Sequence, residues 1–146
     1  MVSKKSSKKE KEELVEIALA ITKNGSGEVL IIRRLKPEKG TDGSQLEWAF
    51  PGGKVSDYES HEETAERETL EETGHYVSVL TKLNSRKHPH YPAKIHYYAC
   101  ELATTATTQM IEDHEIAQIA WVKPEKLTKE FFKTDVDKKV LEYLGL

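Results

Sequence analysis

Only one cysteine, Cys100, stands in the 146 residues. No internal disulfide can form, and a reducing compartment suits the chain. No apolar run approaches the roughly 18 residues that a membrane span needs. The N-terminus carries lysines but lacks the apolar core of a signal peptide. Together these absences make the cytoplasm the expected location. A basic excess is missing too, the formal net charge being −3. The first thirteen residues hold five lysines and three glutamates, which leaves 17 basic and 22 acidic residues, net −5, from Leu14 onward. A negative body argues against a broad nucleic-acid surface, because phosphate binding needs clustered Lys and Arg. A small phosphorylated substrate delivered with a metal remains compatible with that charge. Sequence repeats are absent and the length suits one domain with its own core. Residues 1–13 are read as a disordered, charged tail and 14–146 as the single domain, monomeric or homodimeric.

What the chain has in plenty is acid, and it is concentrated. Asp57 to Glu72 contains eight carboxylates and one base, Arg67. Ser60 followed by Glu63 reads as a capping box that starts a helix, and Gly74 reads as its C-terminal cap, giving a helix from about Ser60 to Thr73. On it, Glu68, Glu71 and Glu72 share one face. Like charges at that spacing weaken a helix. A hard divalent cation resolves the conflict, since carboxylate oxygens are the ligands such ions prefer. Pro51-Gly52-Gly53 lies just upstream, where small residues let backbone approach a ligand or bend sharply.

The stretch Gly53 to His75, GKVSDYESHEETAERETLEETGH, resembles the Nudix box, G-x5-E-x7-R-E-U-x-E-E-x-G-U with U aliphatic. Gly53, Glu59, Arg67, Glu68, Glu71, Glu72 and Gly74 match at the required spacing, while the U sites hold Thr69 and His75, two packing positions. The resemblance implies a Nudix-type α/β/α sandwich with a mixed β-sheet. It implies hydrolysis of a nucleoside diphosphate linked to another moiety. It also implies Mg²⁺ or Mn²⁺ held by Glu68, Glu71, Glu72 and the Gly53 carbonyl, with Arg67 organising the glutamates. The general base stays open between Glu71 and Glu68. A short chain favours a MutT-type nucleoside triphosphate pyrophosphohydrolase, with ADP-ribose and dinucleoside polyphosphates as alternative substrates. A non-catalytic nucleotide sensor is the reading from another class. A further carboxylate is expected opposite the helix. Of Glu112, Asp113 and Glu115, the resemblance to MutT-like enzymes favours Glu115, six residues before Trp121.

The flanks read as strands. Leu14–Thr22 alternates a heavy face (Val15, Ile17, Leu19, Ile21) with a light one (Glu16, Ala18, Ala20). A turn at Asn24–Gly27 should join it to a second strand, Glu28–Leu35, as a hairpin. Residues 36–45 are expected as a polar loop, 84–94 as another and 103–109 as a linker. Further strands are expected at Tyr76–Leu83, Ile95–Leu102 and Ile116–Val122. A short helix should start near Lys123–Leu127, and a terminal one should cover Val136–Leu144. Arg33, Trp48 and Tyr91 are the candidate substrate contacts. Neither a thiol nor a helical His pair supports a transition-metal site among His88, His90 and His96, which are read as solvated or substrate-contacting. Cys100 is read as a small buried hydrophobe.

Overall fold

The computed structural model describes residues 14–110 and 114–146. Its seven strands are β1 (Val15–Lys23), β2 (Val29–Lys39), β3 (Gln45–Ala49), β4 (Gly52–Lys54), β5 (His75–Lys87), β6 (Ala93–Thr107) and β7 (Ile116–Val122). Helix α1 (His61–Thr73) separates β4 from β5, and two short helices, α2 (Lys129–Phe132) and α3 (Lys138–Tyr143), end the chain. The strands run in the order β3-β2-β1-β6-β5, with β4 beside β1 and β7 beside β2. β1 and β6 are parallel and the other pairs antiparallel, so the sheet is mixed.

The alternation in β1 dictates the layers. Its light face, Ala18 and Ala20, lies in a cluster with Ala65 of α1 and with Val77, Tyr98 and Cys100. Alanines there let the helix settle close to the sheet. The heavy face carries Ile21 into a larger core with Val29, Ile31, Phe50, Ile95, Tyr97, Leu127, Phe132, Val140 and Leu144, which the C-terminal helices cover. One helix on one face and the terminal helices on the other make the expected α/β/α sandwich.

Helix α1 is set by its ends. Ser60 accepts from the Glu63 amide while Glu63 accepts from the Ser60 amide, and Gly74 takes the left-handed conformation at φ 76°. Thr69 stands where the resemblance wants an aliphatic residue. It is fully buried, and its hydroxyl donates to the Ala65 carbonyl at 2.7 Å, so the polar atom is satisfied inside the packed face. His75, at the other such position, meets Trp121 edge-on at 5.3 Å between ring centres.

Several boundaries differ from expectation. The hairpin pairs directly only at Lys23↔Val29. Beyond that point β1 and β2 part, and β4 pairs with β1 at Ile17↔Lys54 through Leu19↔Gly52. The polar segment after Leu35 is not all loop: β2 continues to Lys39, and Pro37 lies where its pairing with β3 shifts register, so its missing N–H costs nothing. β5 runs on to Lys87 and β6 to Thr107 because each supplies the other's hydrogen bonds. The terminal helix begins after Asp137, whose carboxylate caps the Lys139 and Val140 amides, so Val136 precedes it.

Candidate active site

The parting of β1 and β2 opens a cleft of about 990 Å³. Ile17 and Leu19 of β1, Ile32, Arg34 and Glu38 of β2, and Gly52, Gly53 and Lys54 of β4 line it, and α1 adds Glu72. Lys36, His88, Tyr91, His114 and Glu115 complete the rim. A smaller cavity of about 100 Å³ adjoins it, with Leu19, Arg34, Glu38, Ala49, Phe50 and His88 in common. Trp48, Phe132, Tyr97, Arg86 and Asp137 form its other walls.

The box residues sort into two adjoining stripes of α1. Glu68 and Glu72, one turn apart, face the glycine turn. The Gly52 amide donates to Glu72 Oε1 at 3.0 Å, and a Cβ added to Gly53 would stand 2.7 Å from Glu68 Cδ. A side chain at this position would displace the Glu68 carboxylate, which rests against the turn. Arg67 and Glu71 form the second stripe. Arg67 Nε donates to Glu59 Oε2 at 2.5 Å and Nη2 to Glu59 Oε1 at 3.0 Å, a two-point fork, while Nη1 donates to Glu71 Oε1 at 3.0 Å. Nη2 also approaches Glu68 Oε2 at 3.4 Å. The Glu59 hydrogen bond is the main reason the guanidinium is held even more firmly protonated than usual. In return Arg67 holds the Glu59 carboxyl below its ordinary range.

Other sequence candidates are scattered around this centre. Tyr91 lines the cleft, its hydroxyl donating to the Lys39 carbonyl. Trp48 lines the small cavity and stacks on Phe131 at 5.3 Å. Arg33 is turned to Gln118, donating from Nε at 3.2 Å, and its guanidinium lies 5.9 Å from the Trp48 ring centre. Its neighbour Arg34 is the arginine that lines both cavities. Strand alternation could have separated the two, had the sheet's faces been known. Glu115 is exposed on the cleft rim, 3.4 Å from its neighbour His114, and its carbonyl accepts from the Leu35 amide at 2.9 Å. Glu112 and Asp113 lie outside the described residues. His88 lines both cavities, and burial lowers its pKa. His96 departs from the solvated reading: it is 3% exposed, because it lies on the sheet face under α1.

An all-oxygen donor set on a helix, beside a turn with no side chain to obstruct approach, suits a hard divalent cation. A cleft of this size with Arg34, Lys36 and Lys54 on its walls suits a phosphorylated small molecule. The class defined is thus one of phosphate chemistry. The NUDIX domain family model matches residues 14–144, and the chain belongs to the Nudix family. It is an enzyme, a pyrophosphohydrolase; members of the family generally depend on a divalent metal. A Bacillus subtilis (strain 168) protein described as a candidate 8-oxo-dGTP diphosphatase is 31% identical over 110 residues, covering 75% of this chain and 67% of that one. The MutT protein of Methanosarcina mazei Go1 superposes with a TM-score of 0.65 at 23% identity, covering 90% of this chain and 92% of its own. An ADP-ribose pyrophosphatase of Streptococcus suis 89-1591 gives 0.61 at 16% identity, covering 90% and 92%. These last two likenesses concern the fold. Among the described residues no helix is long and apolar enough to cross a membrane.

Proposed function

We propose that this chain cleaves nucleoside triphosphates to the monophosphate and pyrophosphate in the cytoplasm, using Mg²⁺ or Mn²⁺. The carrying observation is the adjacency of the two cavities: a cleft with Glu72 of the box, the glycine turn and basic side chains at its walls, sharing residues with a pocket walled by Trp48, Phe50 and Phe132. Phosphates belong in the first and a base in the second, where aromatic rings offer stacking surface. Similarity to the Bacillus subtilis protein supports the same substrate class.

Glu68, Glu71, Glu72 and the Gly53 carbonyl would hold the ion, with Glu115 joining from the rim. Bound there, the ion offsets phosphate charge and acidifies the attacking water. The chain's own groups prepare the site. Arg67 fixes Glu71 and, through Glu59, the segment leading into α1. The Gly52 amide orients Glu72. Arg34, Lys36 and Lys54 draw the polyphosphate toward the turn by charge. Tyr91 closes one wall by tying itself to β2.

A substrate panel tests the reading. The untagged chain is given nucleoside triphosphates (8-oxo-dGTP among them), ADP-ribose and dinucleoside polyphosphates with Mg²⁺, and phosphate and pyrophosphate are scored separately. One pyrophosphate per triphosphate is expected, with turnover abolished by EDTA. Turnover of ADP-ribose alone would replace the substrate, and nucleotide binding without turnover would replace the enzyme with a sensor. Hydrolysis undiminished in excess EDTA would remove the metal.

A further inference from the structure

A second cluster of metal-ligating side chains lies away from the box. Glu16 of β1, His96 of β6 and His61, the first residue of α1, bring one ligand atom each to within 4.8 Å of one another. His96 Nε2 is 2.5 Å from Glu16 Oε1, and His61 Nε2 is 3.7 Å from that same oxygen. The two imidazoles lie 4.0 Å apart between centres, tilted by 31°. We propose that Glu16, His61 and His96 form a binding site for a borderline divalent transition metal of the Zn²⁺ type, separate from the Nudix box.

The donor set distinguishes the two sites. Two imidazole nitrogens and one carboxylate suit Zn²⁺ and its neighbours, whereas the box offers oxygen alone and suits harder ions. Position separates them too. Glu68 follows His61 by seven positions on α1, about 10 Å along the helix axis at 1.5 Å per residue.

His96 has the support expected of a ligand. Its other nitrogen, Nδ1, is 2.8 Å from Ser85 Oγ. With Nδ1–H donated to that hydroxyl, the Nε2 lone pair faces the cluster, the arrangement a ligating histidine needs. In the other tautomer Nε2–H donates to the Glu16 carboxylate at 2.5 Å, and a bound cation would take the place of that proton. His61 and Glu16 retain a third or more of their side-chain exposure, so they are free to adjust. Tetrahedral Zn²⁺ places ligand atoms about 3.3 Å apart for bonds of ~2.0 Å. The Glu16–His96 contact must open by several tenths of an ångström and the His61–Glu16 gap must close by less. The partly positive N-terminus of α1 opposes a cation, and Glu62 and Glu63 in the first turn counter it.

Such an ion would pin the start of α1 to two strands of the sheet, and a ligand that binds only the folded chain raises its stability. Zn²⁺ is therefore titrated calorimetrically into untagged, metal-stripped, full-length protein in excess Mg²⁺, which occupies the box. Melting curves are taken with and without Zn²⁺. One Zn²⁺ per chain and a raised Tm are expected. His61→Ala and Glu16→Gln, both at partly exposed positions, should weaken binding at least about tenfold, while Glu72→Gln leaves it unchanged. Co²⁺ in place of Zn²⁺ should give the visible absorption of a low-symmetry site, lost in His61→Ala. Binding that survives His61→Ala and disappears in Glu72→Gln would assign the ion to the box. Failure of the wild-type chain to bind Zn²⁺ in excess Mg²⁺ would leave the cluster as a hydrogen-bonded tie between helix and sheet.

Discussion

Glu68 and Gly53 are in mutual contact across the site: the carboxylate of one fills the space that a side chain on the other would need. Gly53 does not have a positive φ, so its backbone accepts alanine without strain. Gly53→Ala therefore reports on the carboxylate's position alone. The Cβ, 2.7 Å from Cδ, pushes Glu68 off the turn. We expect a folded protein, its Tm changed by a few degrees at most, with kcat down by about tenfold or more, since misplacing a catalytic group by ~1 Å can cost 10²-fold. Wild-type kcat would show that Glu68 works from elsewhere.

Glu72→Gln asks a different question, because the amide keeps an oxygen to accept from Gly52 and the turn stays oriented. Only the charge goes. Loss of kcat on the order of 10³ is expected, comparable to removing a group that stabilises transition-state charge. Tm should hold or rise slightly as repulsion among the glutamates eases. A folded variant at near-wild-type rate would favour the sensor.

The Glu59–Arg67 pair sets part of the acid limb of stability. Arg67 lowers the Glu59 pKa on folding. A depressed carboxyl contributes stability that is present above its unfolded pKa, about 4.3, and is lost as pH falls through the folded value. Glu59→Gln should lower stability at pH 7 by about 1 kcal/mol or less, because Arg67 is partly exposed and solvent screens the pair. Its Tm should then fall less steeply than wild type between pH 5 and pH 3 (thermal melts across roughly that window). Parallel curves would show that the pair contributes nothing to acid sensitivity.

Cys100 gives the opposite sign. Burial beneath α1 pushes its thiol up to about 12. An acid whose pKa rises on folding costs stability once pH exceeds the unfolded value, about 8.5. Wild-type Tm should therefore drop between about pH 8.5 and pH 11 more than that of Cys100→Ala. At pH 8 the native thiol should resist a thiol-specific reagent until the chain unfolds. Rapid stoichiometric labelling of native protein would contradict the burial.

These elements differ in how far the sequence discloses them. Helix α1 was readable because its signals are local: Ser60, Glu63 and Gly74 act within a turn of the residues they cap. The two faces of β1 were readable for the same reason, since Ala18 and Ala20 contrast with Ile17, Leu19 and Ile21 within nine residues. The far ends of β2, β5 and β6 were not. Thr107 is a strand residue because it meets His75, and nothing in ATTATTQ announces that partner. The Glu16–His61–His96 cluster spans 80 positions and depends on the parallel register that sets His96 beside Ala18. The choice between Arg33 and Arg34 likewise depended on which face of β2 meets the cleft.

The remaining question is which acid outside the box serves the site. A helix presents ligands from one side, whereas a cation bound with phosphates takes oxygens from around it. Glu115 has the location: its backbone is pinned to β2 through the Leu35 amide, and it lines the same cleft as Glu72 and the glycine turn. Its side chain, 62% exposed, now rests by His114 and is free to swing. Glu112, three residues earlier, carries the same charge. Glu115→Gln and Glu112→Gln are therefore best compared side by side, by kcat and by the Mg²⁺ concentration for half-maximal rate. We expect Glu115→Gln to lower kcat at least about tenfold and to raise the Mg²⁺ requirement, while Glu112→Gln stays within about twofold, the pattern of losing a group used in the transition state. The reverse pattern would move the role three residues upstream. Wild-type kinetics in both would mean that Glu68, Glu71 and Glu72 supply the protein's carboxylates unaided.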